Sequence, residues 1–137
     1  MNTNTKGTIG LAKVISDLVE KEFFIFLPLS DTSLIDLIIA DKKLSSKKLQ
    51  IKYVKLNKNG SLYVSFYSVI DRKKVLNDYS KIDAFAIYCP DNKKIYYVPI
   101  KDIIGKSLTL KINGRKIKTS KDSSIYEDPN NIFQLKN

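Results

Sequence analysis

The sequence contains no histidine and no tryptophan, one cysteine and, among its cations, only two arginines, Arg72 and Arg115. Without histidine, the side chain that most often serves as a general base near neutral pH is missing, and with it the usual Ser-His-Asp and Cys-His triads. A single cysteine, Cys89, makes no internal disulfide, and with no histidine to join it there is no zinc set. Catalysis is left to carboxylates, lysine and a metal held by oxygen. Glycine-rich phosphate loops and internal repeats are absent. No apolar run approaches the roughly 20 residues of a membrane-spanning helix. Nor is there a basic start followed by a long apolar segment, so the expectation is a protein that is not secreted: cytoplasmic, or in an organelle stroma if organelle-encoded.

What is present in excess is positive charge. Twenty-four Lys and Arg stand against 14 Asp and Glu, a net charge of +10, with a pI near 9.6. That balance favours a polyanionic partner, nucleic acid before an anionic membrane surface. Asn and Ile are also abundant, and AT-rich coding produces such a Lys, Asn and Ile bias whatever the function. A chain of 137 residues, 43% hydrophobic and 28% charged, has the dimensions of one soluble domain with a single core.

Taken in order, Leu11, Val14, Ile15 and Leu18 fall at helical spacing and predict an opening helix over residues 5–22, capped by Thr5. Residues 23–27 are continuously apolar and read as a strand buried on both faces. Pro28 ends it, and Ser30-Asp31-Thr32-Ser33 makes a turn that Asp31 caps. Leu34-Ile35-Asp36-Leu37-Ile38-Ile39 and Leu49-Gln50-Ile51-Lys52-Tyr53 then read as the arms of a hairpin. Asn59-Gly60 signals a further hairpin turn before residues 61–68, which alternate. Residues 71–81 read as a polar insertion with a helical turn. Residues 82–88 and 94–100 are two core strands around Pro90-Asp91-Asn92, with Asp83 at an exposed strand end. Residues 107–112 are a last strand closed by Asn113-Gly114. From about residue 118 a loosely packed tail is expected, docked by Ile132, Phe133 and Leu135. The fold class is α/β (α+β): a mixed, largely antiparallel sheet with one flanking helix.

Asp36 interrupts a run that otherwise calls for burial, and a buried carboxylate is costly unless it is paired or bound to a metal. Strand alternation places Gln50 and Lys52 on one side with Ile51 opposite. Pairing of the two arms brings Asp36 beside them. An acid on one strand followed by Gln-x-Lys on the next resembles the PD-(D/E)xK nucleases, whose two acidic positions hold Mg²⁺ and whose Lys orients or activates the attacking water. The Gln variant is similar to that of small intron-encoded homing endonucleases. So are the neighbours: Thr5-Lys6-Gly7 and Gly10 opening the helix, Pro28 and Ser33 before the Asp strand, residues 82–91, and Tyr96-Tyr97-Val98-Pro99. The resemblance covers roughly residues 5–112.

It implies a restriction-endonuclease-like core and cleavage of double-stranded DNA at a long target. Asp36 and the Gln50 amide oxygen would hold Mg²⁺, with Mn²⁺ as substitute, the amide being a neutral ligand. Lys52 would act on water and phosphate. One active site cuts one strand, so a homodimer or homotetramer is expected. In that family a helix Glu often completes the metal site; here Leu11 stands at its place. Asp17 and Glu20 lie on other faces of the helix, and Glu22 returns to the same face only roughly 16 Å further along. The charge itself marks Lys55, Lys58, Arg72, Lys73 and Lys74 as candidate DNA contacts.

Other readings fit the same residues. Asp36 and Lys52 make a structural ion pair in one. In another, favoured by Leu11 and the uncharged Gln50, the chain is a catalytically weak or inactive sequence-specific DNA-binding protein of the same fold. In a third it is a protein-interaction module whose charge reflects coding bias. Base stacking by the tyrosines competes with plain packing, since Tyr53, Tyr63, Tyr67, Tyr88, Tyr96 and Tyr97 all fall on expected strands.

Overall fold

The computed structural model describes residues 1–30, 34–112 and 123–133. Helix α1 (Thr3–Glu20) begins before the expected start because Asn2, not Thr5, is its cap: Asn2 Oδ1 accepts a hydrogen bond from Thr5 N at 2.8 Å. Val14 and Leu18 are buried and Leu11 and Ile15 partly so, which is the stripe that the helical spacing predicts. Gly10 lies inside the helix rather than opening it. A Cβ there would meet Ile51 Cγ2 at 3.3 Å and Tyr53 Cβ at 3.8 Å, so its bare backbone lets α1 lie close against the sheet.

The strands are β1 (Phe24–Phe26), β2 (Leu37–Ala40), β3 (Ser46–Tyr53), β4 (Ser61–Ser65), β5 (Tyr67–Ile70), β6 (Lys73–Leu76), β7 (Ala84–Cys89), β8 (Lys94–Pro99) and β9 (Ser107–Lys111). Five of them form a sheet in the order β1-β2-β3-β7-β8. Only the β3–β7 pairing is parallel, so the sheet is mixed and the fold α+β, as expected. One face carries Leu37, Ile39, Leu49, Ala84, Ala86 and Tyr97 under α1. The other carries Phe85, Ile87, Cys89, Tyr96 and Val98, covered by Leu62 and Val64 of β4 and Leu108 and Leu110 of β9. Covered on both sides, β7 is buried along its whole length.

Several expectations are corrected. The apolar run at residues 23–27 is an edge strand, not a doubly buried one: Phe24 and Phe26 are 50% and 54% exposed. The Asn59-Gly60 turn exists, with Gly60 N donating to Asn57 O at 3.0 Å, but it does not fold β4 back on β3. Both edges of β3 are already taken, by β2 and β7, so β4 pairs with β9. The alternation over residues 61–68 breaks at Phe66, whose N donates to Lys106 O at 3.0 Å, leaving two strands. In place of a polar insertion with a helical turn, β5 and β6 form a hairpin around Asp71 and Arg72.

Residues Ser123–Glu127 and Pro129–Phe133 form 3-10 turns. Tyr126 and Ile132 are buried, and the Phe133 ring stacks 5.6 Å from that of Phe23. Asp31, Ser33, Asn113, Gly114, Arg115 and Leu135 lie outside the described residues. Among those described, no helix is long and apolar enough to cross a membrane.

Candidate active site

Asp36 stands one residue ahead of β2 and is tied twice to β3. Its N donates to Leu49 O at 2.9 Å, and its Oδ2 accepts from Ile51 N at 2.7 Å. The two bonds straddle Gln50, which fixes the carboxylate beside that side chain. Burial raises the proton affinity of Asp36 above that of an ordinary aspartate; the Ile51 N–H, the charge of Lys52 and the Gln50 amide oppose that rise without cancelling it.

Gln50 Oε1 is buried and has no hydrogen-bond partner. Leaving a buried acceptor unsatisfied costs about 1–3 kcal/mol, and such an orphan calls for an explanation in what the site binds. An oxygen of this kind beside a carboxylate suits a hard cation. The donor set is sparse, since no group of three or more His, Cys, Asp or Glu able to hold a metal occurs among the described residues. The residues therefore fit a divalent ion, weakly held.

Lys52 points to the Gln50 side of β3 and is held by aromatic groups. Its Nζ is 3.4 Å from Tyr79 Oη and 5.7 and 6.0 Å from the ring centroids of Tyr79 and Phe85. Those rings pack against each other and against Phe66. Asn77 Nδ2 donates to Tyr79 Oη at 3.3 Å and to Ser68 Oγ at 2.7 Å. Lys52 makes no salt bridge to Asp36. Ion pairs form elsewhere, as in Lys21–Asp17, Lys42–Glu22 and Lys94–Glu127, so the structural ion-pair reading of Asp36 with Lys52 does not hold.

Asp36 and Gln50 open on a groove of about 1140 Å³, walled by the first half of α1, including Gly7 and Leu11, and by the segment around Leu29. Lys52 is not part of that wall. Leu11 thus lines the same groove as Asp36 and Gln50 while packing partly into the core under α1. No carboxylate of α1 or of the residues just after it lines this groove. Asp17 accepts from Tyr97 Oη at 2.6 Å and pairs with Lys21, and Glu22 pairs with Lys42.

Asp83 is exposed and structural, its Oδ2 accepting from Lys48 N at 2.8 Å where β7 begins. Lys55 and Lys58 are exposed on the β3–β4 connection, and Arg72, Lys73 and Lys74 on the β5–β6 hairpin. Tyr88, Tyr96 and Tyr97 are buried and committed to packing, whereas Tyr63 and Tyr67 face outward. Tyr79 and Asn77 carry no signal in the sequence, and Phe85 reads there only as a core-strand residue. Tyr79 lies 27 positions from Lys52, and no local pattern links them.

Residues 1–128 match the family model of the PD-(D/E)XK endonucleases. Among solved structures, the fold is similar to that of a bacterial homing endonuclease, I-Ssp6803I. The TM-score is 0.72 at 20% identity, over 92% of this chain and 88% of that one. Hjc, a Holliday junction resolvase from the archaeal hyperthermophile Archaeoglobus fulgidus, gives a TM-score of 0.45 at 15% identity, over 84% and 89% of the two chains. No curated protein matches the sequence.

Proposed function

The chain belongs to the PD-(D/E)XK endonuclease family, which makes it a phosphodiester hydrolase by kinship, and on that premise we propose that it is a metal-dependent double-stranded DNA endonuclease of homing type. The observation that carries the proposal is the Asp36 carboxylate beside the orphaned Gln50 Oε1, at a groove, with the Lys52 ammonium on the Gln50 side of the same strand.

Asp36 and Gln50 Oε1 are the residues that would hold Mg²⁺ or Mn²⁺, which when bound polarises the phosphate and makes a bound water more acidic. Lys52 orients the attacking water and stabilises the negative charge that grows on the phosphate oxygens. Tyr79, packed among rings, keeps the ammonium in place before substrate arrives, so little reorganisation is needed. Leu11 adds no charge to the groove. One carboxylate and one neutral amide attract a cation less than two or three carboxylates do, so the metal requirement is on the order of millimolar.

Lys55, Lys58, Arg72, Lys73 and Lys74 supply contacts to the DNA, and binding is correspondingly salt-sensitive. Cutting both strands requires two sites, hence a symmetric dimer or tetramer. The fold is similar to that of I-Ssp6803I, a bacterial homing endonuclease, which agrees with the homing type; the long target is what the sequence resemblance around Asp36, Gln50 and Lys52 implies. The reading is tested by incubating the protein with DNA flanking its own gene, with Mg²⁺, with Mn²⁺ and with a chelator. Metal-dependent double-strand cleavage at one site is expected. Tight sequence-specific binding with no product under either metal would replace it with the second reading, a non-cleaving DNA-binding protein, which Leu11 and the neutral Gln50 favour.

A further inference from the structure

The β5–β6 hairpin pairs with no other strand among the described residues. Tyr67, Val69, Ile70, Val75 and Leu76 are between 38% and 71% exposed, so among the described residues neither face of the ribbon is covered. Two strands alone are marginally stable in water. Attachment at the base holds this pair in place: Asn77 N donates to Phe66 O at 2.9 Å, and Asn77 Nδ2 bridges Ser68 Oγ and Tyr79 Oη. Because Tyr79 Oη also meets Lys52 Nζ, the ribbon's base and the site lysine share one frame.

The turn at the tip carries a second clue. Asp71 and Arg72 have φ of 50° and 64°, the left-handed pair of a two-residue hairpin that Asn and Gly make at least cost. An arginine there costs roughly 1 kcal/mol or more. The strain is retained at the outermost point of the ribbon, where the side chain supports no core.

We infer that the ribbon is a groove-reading element that enters the major groove of duplex DNA beside the scissile phosphate; the inference rests on the endonuclease reading above. A major groove about 12 Å wide and 8.5 Å deep admits a two-stranded ribbon, and four residues at about 3.4 Å each are long enough to reach its floor. Arg72, Lys73 and Lys74 give the tip three cations against the one anion of Asp71. Cross-strand pairing sets Lys74 opposite Val69 on one face and Lys73 opposite Ile70 on the other. Each face thus offers a cation for phosphate or guanine and an apolar group for a thymine methyl. Lysine is depleted from protein–protein interfaces, so a cation amid the apolar residues of both faces argues against a second copy of the chain as the occupant.

The test uses the full chain and a pool of randomised-sequence duplexes. Arg72→Gly removes a cation and relaxes the turn, so the melting temperature should hold or rise while affinity falls about five- to tenfold and the salt slope drops by about one. Val69→Ser with Ile70→Ser, both exposed, should relax the selected sequence at one cluster of base pairs. Selection by wild type that these variants lose supports the ribbon even if no cleavage product forms, an outcome that removes the nuclease reading alone. Unchanged affinity, slope and selected sequence overturn the inference even if cleavage is intact. So does a variant that keeps its DNA behaviour but loses oligomer mass, which would make the ribbon a subunit contact. Wild type that ignores duplex DNA overturns both readings.

Discussion

Strand β7 and the β5–β6 ribbon both carry apolar, β-favouring side chains, mixed on the ribbon with Ser68, Lys73 and Lys74, yet every residue of β7 is buried and seven of the ribbon's eight are exposed, Ser68 being half-covered. The difference lies in cover. Helix α1 on one face and β4 with β9 on the other remove β7 from water, whereas among the described residues nothing comparable lies on the ribbon. Strand-forming residues thus define an element without defining its task. The candidate site sits between the two regions: β3 pairs with β7, while Lys52 reaches the ribbon's base through Tyr79 and Asn77.

The sharpest way to break this comparison is to cut one large side chain from each region. Phe85→Ala should lower stability by about 3–5 kcal/mol in denaturant unfolding, since Phe85 is fully buried among Phe66 and Tyr79. Val69→Ala on the ribbon should change it by no more than about 0.5 kcal/mol. Equal losses would erase the distinction between core strand and free arm.

Asp36→Asn tests whether the site, unlike β7, is kept at some expense to stability. Cleavage should fall about a hundredfold or more, while the melting temperature should rise by a few degrees at most. The sign follows from burial, which raises the Asp36 pKa on folding. The stabilising contribution of the protonated acid is complete at low pH and is lost as pH rises through the folded value. The variant's advantage should therefore be greatest near and above neutral pH and vanish in acid. Wild-type activity should run the opposite way, failing on acidification from a pH above the ordinary aspartate range. A melting temperature that drops at all pH values would show that the ionised carboxylate stabilises the fold.

Tyr79→Phe keeps the ring against Phe66 and Phe85 and removes only the hydroxyl. One hydrogen bond to a charged group is worth about 1.5 kcal/mol, so kcat should fall roughly tenfold with DNA affinity and melting temperature nearly unchanged. A fall in stability with kcat intact would reduce Tyr79 to packing. Leu11→Glu should have the smallest effect, lowering the Mg²⁺ requirement severalfold by adding charge at the groove. A lower melting temperature with no gain in metal affinity would instead assign Leu11 wholly to the core.

Much of this was legible because it is periodic. The α1 stripe repeats at helical spacing, and Gln50 and Lys52 share a side because β-strand side chains alternate. The acid that interrupts an apolar run drew attention to Asp36 for the same reason. Pairings that depend on a third element were not legible. That β4 joins β9 follows from both edges of β3 being occupied, which no stretch near Asn59-Gly60 records. The apolar run at residues 23–27 read as core because hydrophobicity does not say which strand ends up at the edge. The ribbon stayed hidden because its turn uses Asp71-Arg72 in place of Asn-Gly. Tyr79 stayed hidden because only the tertiary fold brings it to Lys52.

On the proposed function, Lys52 acts in chemistry and not in holding DNA or the fold. Lys52→Ala should abolish Mg²⁺-dependent cleavage of the target while leaving duplex affinity within about twofold of wild type and the oligomer unchanged, the pattern of an interaction made only in the transition state. A variant that cleaves as wild type does would contradict the account.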